Sequence, residues 1–255
     1  MSKYVAITEA RTTGATCARR PPPLPPPLPT PIVLHPTVES REYFSCVFDF
    51  VQNQQTVVGT IWNSGDVLLR YLELESCPLR THFGPSRRII ELGAGVGHVG
   101  IAIAVGLKPR EYMLTDVNIK PAQANLDIAM KQHQWLKSTV LRSFSLDWCS
   151  HPKHSPNAPH GNDYVDTIVA VDCVWMEKLY EPFLRWVMFL CGPNTTIVLA
   201  HEHRREDSYA LVFKVLLDND FLIRKVCVED LTYALPNVAL FTIRRVQHHH
   251  SHSKV

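Results

Sequence analysis

From about residue 41 onward, the apolar positions alternate between period-two and helical spacing. REYFSCVFDF (41–50) and QTVVGT (55–60) have alternating or β-branched content and predict a leading hairpin. Trp62 to about Glu75 carries Val67, Leu68, Tyr71 and Leu72 on one helical face. RRIIEL (87–92) predicts a buried strand, followed by glycines and an apolar helix ending near Gly106. EYMLTD (111–116) predicts the next strand, and Pro121 opens a helix running to about His133. STVLRSFSL (138–146) reads as a strand, and residues 147–162 as a polar loop. YVDTIVAVD (164–172) is almost continuously apolar, as the centre of a parallel sheet requires. A helix over 176–190, a strand TTIVLAH (195–201) and a helix over 206–217 follow. FLIRKVCV (221–228) and VALFTIRRV (238–246) predict a closing antiparallel pair. The expected fold is therefore α/β: a Rossmann-like, seven-stranded, mostly parallel sheet with an antiparallel C-terminal strand, helices on both faces and an N-terminal β-hairpin.

Composition bounds this unit. Nine of the nineteen prolines fall between Pro21 and Pro36, which favours extended polyproline II and sets residues 1–38 outside the packed domain at 39–246. Within the tract, Arg20-Pro-Pro-Pro23-Leu-Pro-Pro26 fits the pattern bound by SH3-type modules, so a proline-recognising partner at 20–31 competes with a plain stiff tail. The His-rich end, 247–255, is also expected outside the fold. Seven dispersed cysteines without a C-x-x-C suggest reduced thiols in a cytoplasmic or nuclear setting. No signal-peptide pattern or membrane-length apolar run is present. A net charge of +2 with scattered basic pairs argues against a nucleic-acid partner.

Candidate chemistry concentrates in IIELGAGVGHVG (89–100). Gly95-x-Gly97-x-x-Gly100 is a literal dinucleotide fingerprint, but Gly93-x-Gly95-x-Gly97 overlaps it and Glu91 precedes it. A strand, a glycine turn and a helix N-terminus bring backbone close to a ligand. Asp116, twenty-one positions after Gly95, suits ribose hydroxyls. Nicotinamide dinucleotide and S-adenosylmethionine both fit this much. A carboxylate beside a pyrophosphate is unfavourable, whereas a sulfonium and an ammonium attract it. Glu91 thus favours S-adenosylmethionine, unless it only ties down the loop.

ELGAGVGHVGIAIA followed by LTDVN resembles motifs I and II of the class I, seven-strand methyltransferases that use S-adenosylmethionine. Gly59-Thr-Ile-Trp62 with the following leucines, Leu146-Asp-Trp148, and Val171-Asp172-Cys-Val-Trp175 together resemble methyltransferase family 16, the non-histone protein lysine methyltransferases. The resemblance spans about 45–245. It implies a pocket for the methyl donor lined by Trp62, Gly93, Ala94, Gly95, Asp116, Trp148 and the Val171 region, and the charge argument adds Glu91 beside it. It also implies an acceptor side at Asp172 and Trp175, where relatives usually carry tyrosine in place of Trp175. Asp172 could position a lysine amine or stabilise positive charge, or instead cap the next helix. Amino-methyltransferases of nucleic-acid bases carry [DNS]-P-P-[YFW] at this strand end; both prolines are missing here, which favours a protein acceptor. His201-Glu-His203 lacks zinc spacing and is a candidate for facing the substrate. No metal is expected. A dehydrogenase and a non-catalytic interaction module working through the proline tract remain the alternatives.

Overall fold

The computed structural model describes residues 35–133, 139–155, 164–173, 175–203, 210–228 and 234–246. The proline tract with its SH3-type match, the terminal histidines, residues 156–162 of the expected loop, Val174, and Arg204–Arg205 with the expected start of the last helix lie outside them.

Seven strands form one sheet. In chain order they are β3 (Arg88–Leu92), β4 (Glu111–Asp116), β5 (Val140–Ser145), β6 (Thr167–Val171), β7 (Thr196–Glu202), β8 (Phe221–Val226) and β9 (Val238–Arg245). Their spatial order is β5-β4-β3-β6-β7-β9-β8. The first five run parallel, and β9 is antiparallel to both of its neighbours. Every residue of β6 is buried, which explains its unbroken apolar run at the sheet centre. The chain moves outward from β3 to β4 and β5, then returns to β6 on the other side. That reversal opens a crevice beyond the carboxyl ends of β3 and β6, the place where open α/β sheets bind ligands.

Helices α1 (Asn63–Glu73), α2 (His98–Gly106) and α3 (Lys120–Gln132) share one core with the hairpin, including Leu68, Leu72, Ile101 and Leu126. Helices α4 (Tyr180–Leu190) and α5 (Ala210–Asp218) build the opposite core with Phe183 and Leu216. Trp186 on α4 is fully buried there, as its helical spacing with Leu184, Val187 and Leu190 implies.

The leading hairpin differs from expectation. It consists of β1 (Thr37–Tyr43) and β2 (Cys46–Gln52), so a single predicted strand is in fact two with a turn between them. Phe44 and Ser45 both take positive φ, 52° and 58°, the conformation of a two-residue hairpin turn, without the glycine or asparagine that usually marks one. Thr37 and Val38, expected outside the domain, already belong to β1. QTVVGT is not a strand. Asn53, Thr56 and Gly59 bond to one another through the backbone, turning the segment into a loop. Asn125 on α3 then joins the hairpin to the glycine turn. Its side chain accepts from Val51 N at 2.7 Å and donates to Val51 O and Val96 O at 3.0 and 2.9 Å.

Helix α2 is apolar all round and buried, so its packing on the sheet is tight. A Cβ on Gly100 would lie 2.5 Å from Tyr112 Cε1 and 2.6 Å from Glu91 Oε2, and closer still to Leu114. Alanine improves helix propensity by up to about 1 kcal/mol, but overpacking a core costs about 1–3 kcal/mol. Steric conflict therefore wins: Gly100→Ala is expected to lower unfolding stability, read as a drop in the urea midpoint with an unchanged m-value.

Candidate functional site

The crevice beyond the strand ends holds a cavity of about 330 Å³, within the range of small-molecule sites. Its base is the glycine loop, where Gly93 and Gly95 have φ of 73° and 57°. A Cβ at Gly93 would meet Cys173 Sγ at 2.8 Å and the Trp148 ring at 3.4 Å, so the missing side chain is what lets both reach the cavity. Three of the loop's N–H groups are already used. Gly93 N and Ala94 N both donate to Thr115 O at 2.9 Å, and Gly95 N donates to Asp116 Oδ2 at 3.0 Å. Three successive donors that would cradle a pyrophosphate are spent on the neighbouring strand. The loop therefore presents a closely approachable backbone rather than an anion nest.

Glu91 lines the cavity yet is almost wholly buried. Its carboxyl accepts from the Tyr112 hydroxyl at 3.0 Å and from the backbone N–H of Gly100, a first-turn donor of α2. Burial dominates these bonds and pushes its pKa up to about 8, with the nearby Asp116 adding to the rise. The acid thus both ties the loop to α2 and holds a proton near neutral pH. Asp116, at the end of β4, also lines the cavity, and burial raises its pKa against the N–H groups of Asn118, Gly95 and Val117.

Tryptophans wall the space. Trp148 packs edge-on against Phe183, with ring centroids 5.3 Å apart; its buried Nε1 has no hydrogen-bond partner among the described residues. Trp62 is the N-cap residue of α1 and donates from Nε1 to Val57 O at 3.3 Å. Val171 forms part of the wall between them, and Trp175, 41% exposed, stands at the mouth. The structure thus brings all ten candidate residues to one cavity: Trp62, Glu91, Gly93, Ala94, Gly95 and Asp116, with Trp148, Val171, Asp172 and Trp175.

Asp172 is not a helix cap; the N-cap of α4 is Leu179. It has φ 52°, a left-handed conformation that costs a non-glycine residue roughly 1–3 kcal/mol. Its Oδ2 accepts from Ser64 Oγ at 2.6 Å, and its Oδ1 accepts from Glu202 N at 2.8 Å. His201 Nδ1 lies 3.8 Å from the same carboxylate, buried at the end of β7. His203 stacks obliquely beside His201, and the described residues contain no cluster of His, Cys, Asp or Glu able to hold a metal ion.

Several lining residues escaped the sequence reading. Val57, Val58 and Thr60 reach the cavity because QTVVGT is a loop. His98, at the start of α2, lines it too; burial pushes its pKa down to about 4, so the ring is neutral. The signal for His98 was present in the motif itself, a polar ring in an otherwise apolar helix.

The lysine methyltransferase family profile matches residues 49–217. Protein N-lysine methyltransferase METTL21A of Mus musculus is 30% identical over 177 residues, covering 68% of this chain and 72% of that protein. EEF1A lysine methyltransferase 3 of Mus musculus is 28% identical over 165 residues, covering 65% of this chain and 64% of that protein. Its Xenopus tropicalis counterpart is 26% identical, covering 65% and 66%. The chain thus spans just under two thirds of both EEF1A lysine methyltransferase 3 sequences. Among solved structures, an O-methyltransferase family protein from Burkholderia thailandensis superposes with a TM-score of 0.50 at 12% identity, covering 71% of this chain and 55% of that one. The methyltransferase domain of a bacterial Hen1 gives 0.50 at 10% identity, covering 70% and 99%. These two establish a shared fold.

A carboxyl whose folded pKa is raised stabilises fully below its ordinary pKa, 4.5, and that contribution is lost as pH rises through about 8. Urea unfolding is therefore expected to show wild-type stability falling relative to Glu91→Gln between pH 5 and pH 8. The limiting slope is about 1.4 kcal/mol per pH unit for one proton.

Proposed function

This chain belongs to the lysine methyltransferase family, and from that premise we propose that it methylates a lysine side chain of a protein substrate, with S-adenosyl-L-methionine as methyl donor. The observation that carries this reading is the cavity itself. The N–H groups of Gly93, Ala94 and Gly95 in its glycine loop are already bonded to β4, and an acid, Glu91, lines it. The same spent donors argue against a nicotinamide dinucleotide.

The residues present suit the donor. Asp116 keeps lone pairs for ribose hydroxyls after accepting from Gly95 and Asn118. The unpartnered Trp148 Nε1 offers a donor in the wall, and the Trp62 and Trp148 rings offer faces to an adenine or a thioether chain. Glu91 provides negative charge to the cationic end once its proton leaves. When bound, S-adenosylmethionine supplies a methyl group on an electrophilic sulfonium. The chain's own task is to align the acceptor, exclude water and present a neutral amine. A lysine amine has an ordinary pKa near 10.4, and burial between Trp175 and Leu179 lowers it. Asp172, held by Ser64 and Glu202 N, lies beside that channel, where its carboxylate would stabilise the cation that forms on the nitrogen.

Two measurements test this. Titration calorimetry at pH 7 in buffers of different ionisation enthalpy is expected to show S-adenosylmethionine binding with release of close to one proton, absent in Glu91→Gln. If neither S-adenosylmethionine nor S-adenosylhomocysteine binds, the reading fails. Incubation with labelled donor and a cell lysate, followed by mass spectrometry, is expected to place label on lysine. Asp172→Asn should cut incorporation by roughly 10–100-fold, the loss of one charge-assisted contact. Donor binding without any incorporation would favour an interaction protein that has kept only the pocket.

A further inference from the structure

The wall formed by Val57, Val58, Thr60 and Trp62 does not belong to the sheet. It hangs on the first turn of α1: Trp62 is that helix's N-cap, and its indole nitrogen bonds Val57 O. Two contacts seat this turn. Ser64 Oγ donates to Asp172 Oδ2 at 2.6 Å, linking positions 108 residues apart with both side chains buried. Gly65 lies against the imidazole of His98, where a Cβ would come within 2.5 Å of Cε1 and Nε2.

Neither residue is explained by helix formation. Both sit in the first turn of α1, where a serine ordinarily faces solvent or bonds nearby backbone. Here glycine lets the turn approach α2, and serine fixes it to the end of β6. Asp172 is otherwise immobile, because Glu202 N holds its second oxygen and Asp172 N donates to Ala200 O at 2.9 Å. The Ser64 bond is therefore a tie between a rigid sheet end and the element that carries the tryptophan wall. Asp172 and Trp175 stand on the acceptor side of the same cavity, so the tie joins the two halves of the site.

We propose that Ser64 is a positioning residue: through Asp172 it sets the Trp62 wall against the methyl donor and couples donor binding to the acceptor side. This rests on the donor reading above. Without the hydroxyl, the first turn loses its bond to the end of β6, and Asp172 loses a buried donor.

The test uses the full chain and S-adenosylhomocysteine, whose binding is read without turnover. Ser64→Ala is expected to weaken the dissociation constant at least tenfold at a temperature where the variant is folded. Adding Ser64→Ala to an Asp172→Ala background should change binding little, since the shared bond is already gone. Amide hydrogen exchange over residues 57–66 should slow on ligand addition in the wild type and not in Ser64→Ala. Where the alanine variant does not fold, Ser64→Cys keeps the volume, weakens the donor and should show a smaller loss in the same direction. A folded serine variant that binds within twofold of wild type, with unchanged protection of 57–66, makes Ser64 merely structural and overturns this proposal alone. Failure of the wild type to bind S-adenosylhomocysteine overturns the donor reading as well.

Discussion

The approach of α2 to β3 and β4 at Gly100 is the constraint on which the rest of the site depends. With no side chain at that position, the helix settles directly over Glu91 and Tyr112. The N–H of Gly100 then reaches the Glu91 carboxyl, which already accepts from Tyr112. That packing closes off solvent and makes the carboxyl hard to ionise. The same approach fixes the glycine loop between β3 and α2, where its N–H groups turn inward to Thr115 and Asp116. A motif that usually offers donors to an anion thus becomes a backbone floor with a buried acid beneath it. What the loop presents to a ligand follows from this packing, not from the glycine spacing.

Much of the architecture was legible because it is local. The six residues expected for the strand at 111–116 are the six of β4, whose interior is uniformly buried. The central strand and the helix starting near Pro121 follow from burial and from proline's fixed φ in the same way. The hairpin was misread for an equally physical reason. Its turn residues, Phe44 and Ser45, have no intrinsic preference for positive φ; tertiary packing imposes it. Phe44 N donates to Glu73 Oε1 at 2.7 Å, and Phe44 packs against Gly106, contacts invisible in the local sequence.

The site divides along the same line. The tryptophans come only from the family resemblance, whereas the loop glycines, Glu91 and Asp116 announce themselves by residue type and spacing. Ser64 does not, because an ordinary hydroxyl gains significance only from a partner 108 positions away. His98 and the Val57–Thr60 loop enter the cavity through packing of α1 on α2, which no spacing rule encodes. Local pattern therefore locates the floor of the pocket, while the wall at Val57–Thr60 is a tertiary product.

That division bears on the tryptophan at 175. An acceptor amine could be oriented by a hydroxyl at this position, but the partners of Asp172 suggest another route. Ser64 Oγ and Glu202 N hold the carboxylate in one orientation, so its field at the mouth is fixed before any substrate arrives. An indole ring at the mouth adds a π-face, which attracts a cation most strongly once the charge is desolvated. On the proposed reading the attacking amine is neutral and the methylated product is cationic. Both the carboxylate and the ring therefore interact more strongly as positive charge develops on the nitrogen. Stabilisation that grows toward the transition state lowers the barrier. Trp175 is compatible with catalysis on those grounds, provided the carboxylate beside it stays where Ser64 and Glu202 hold it.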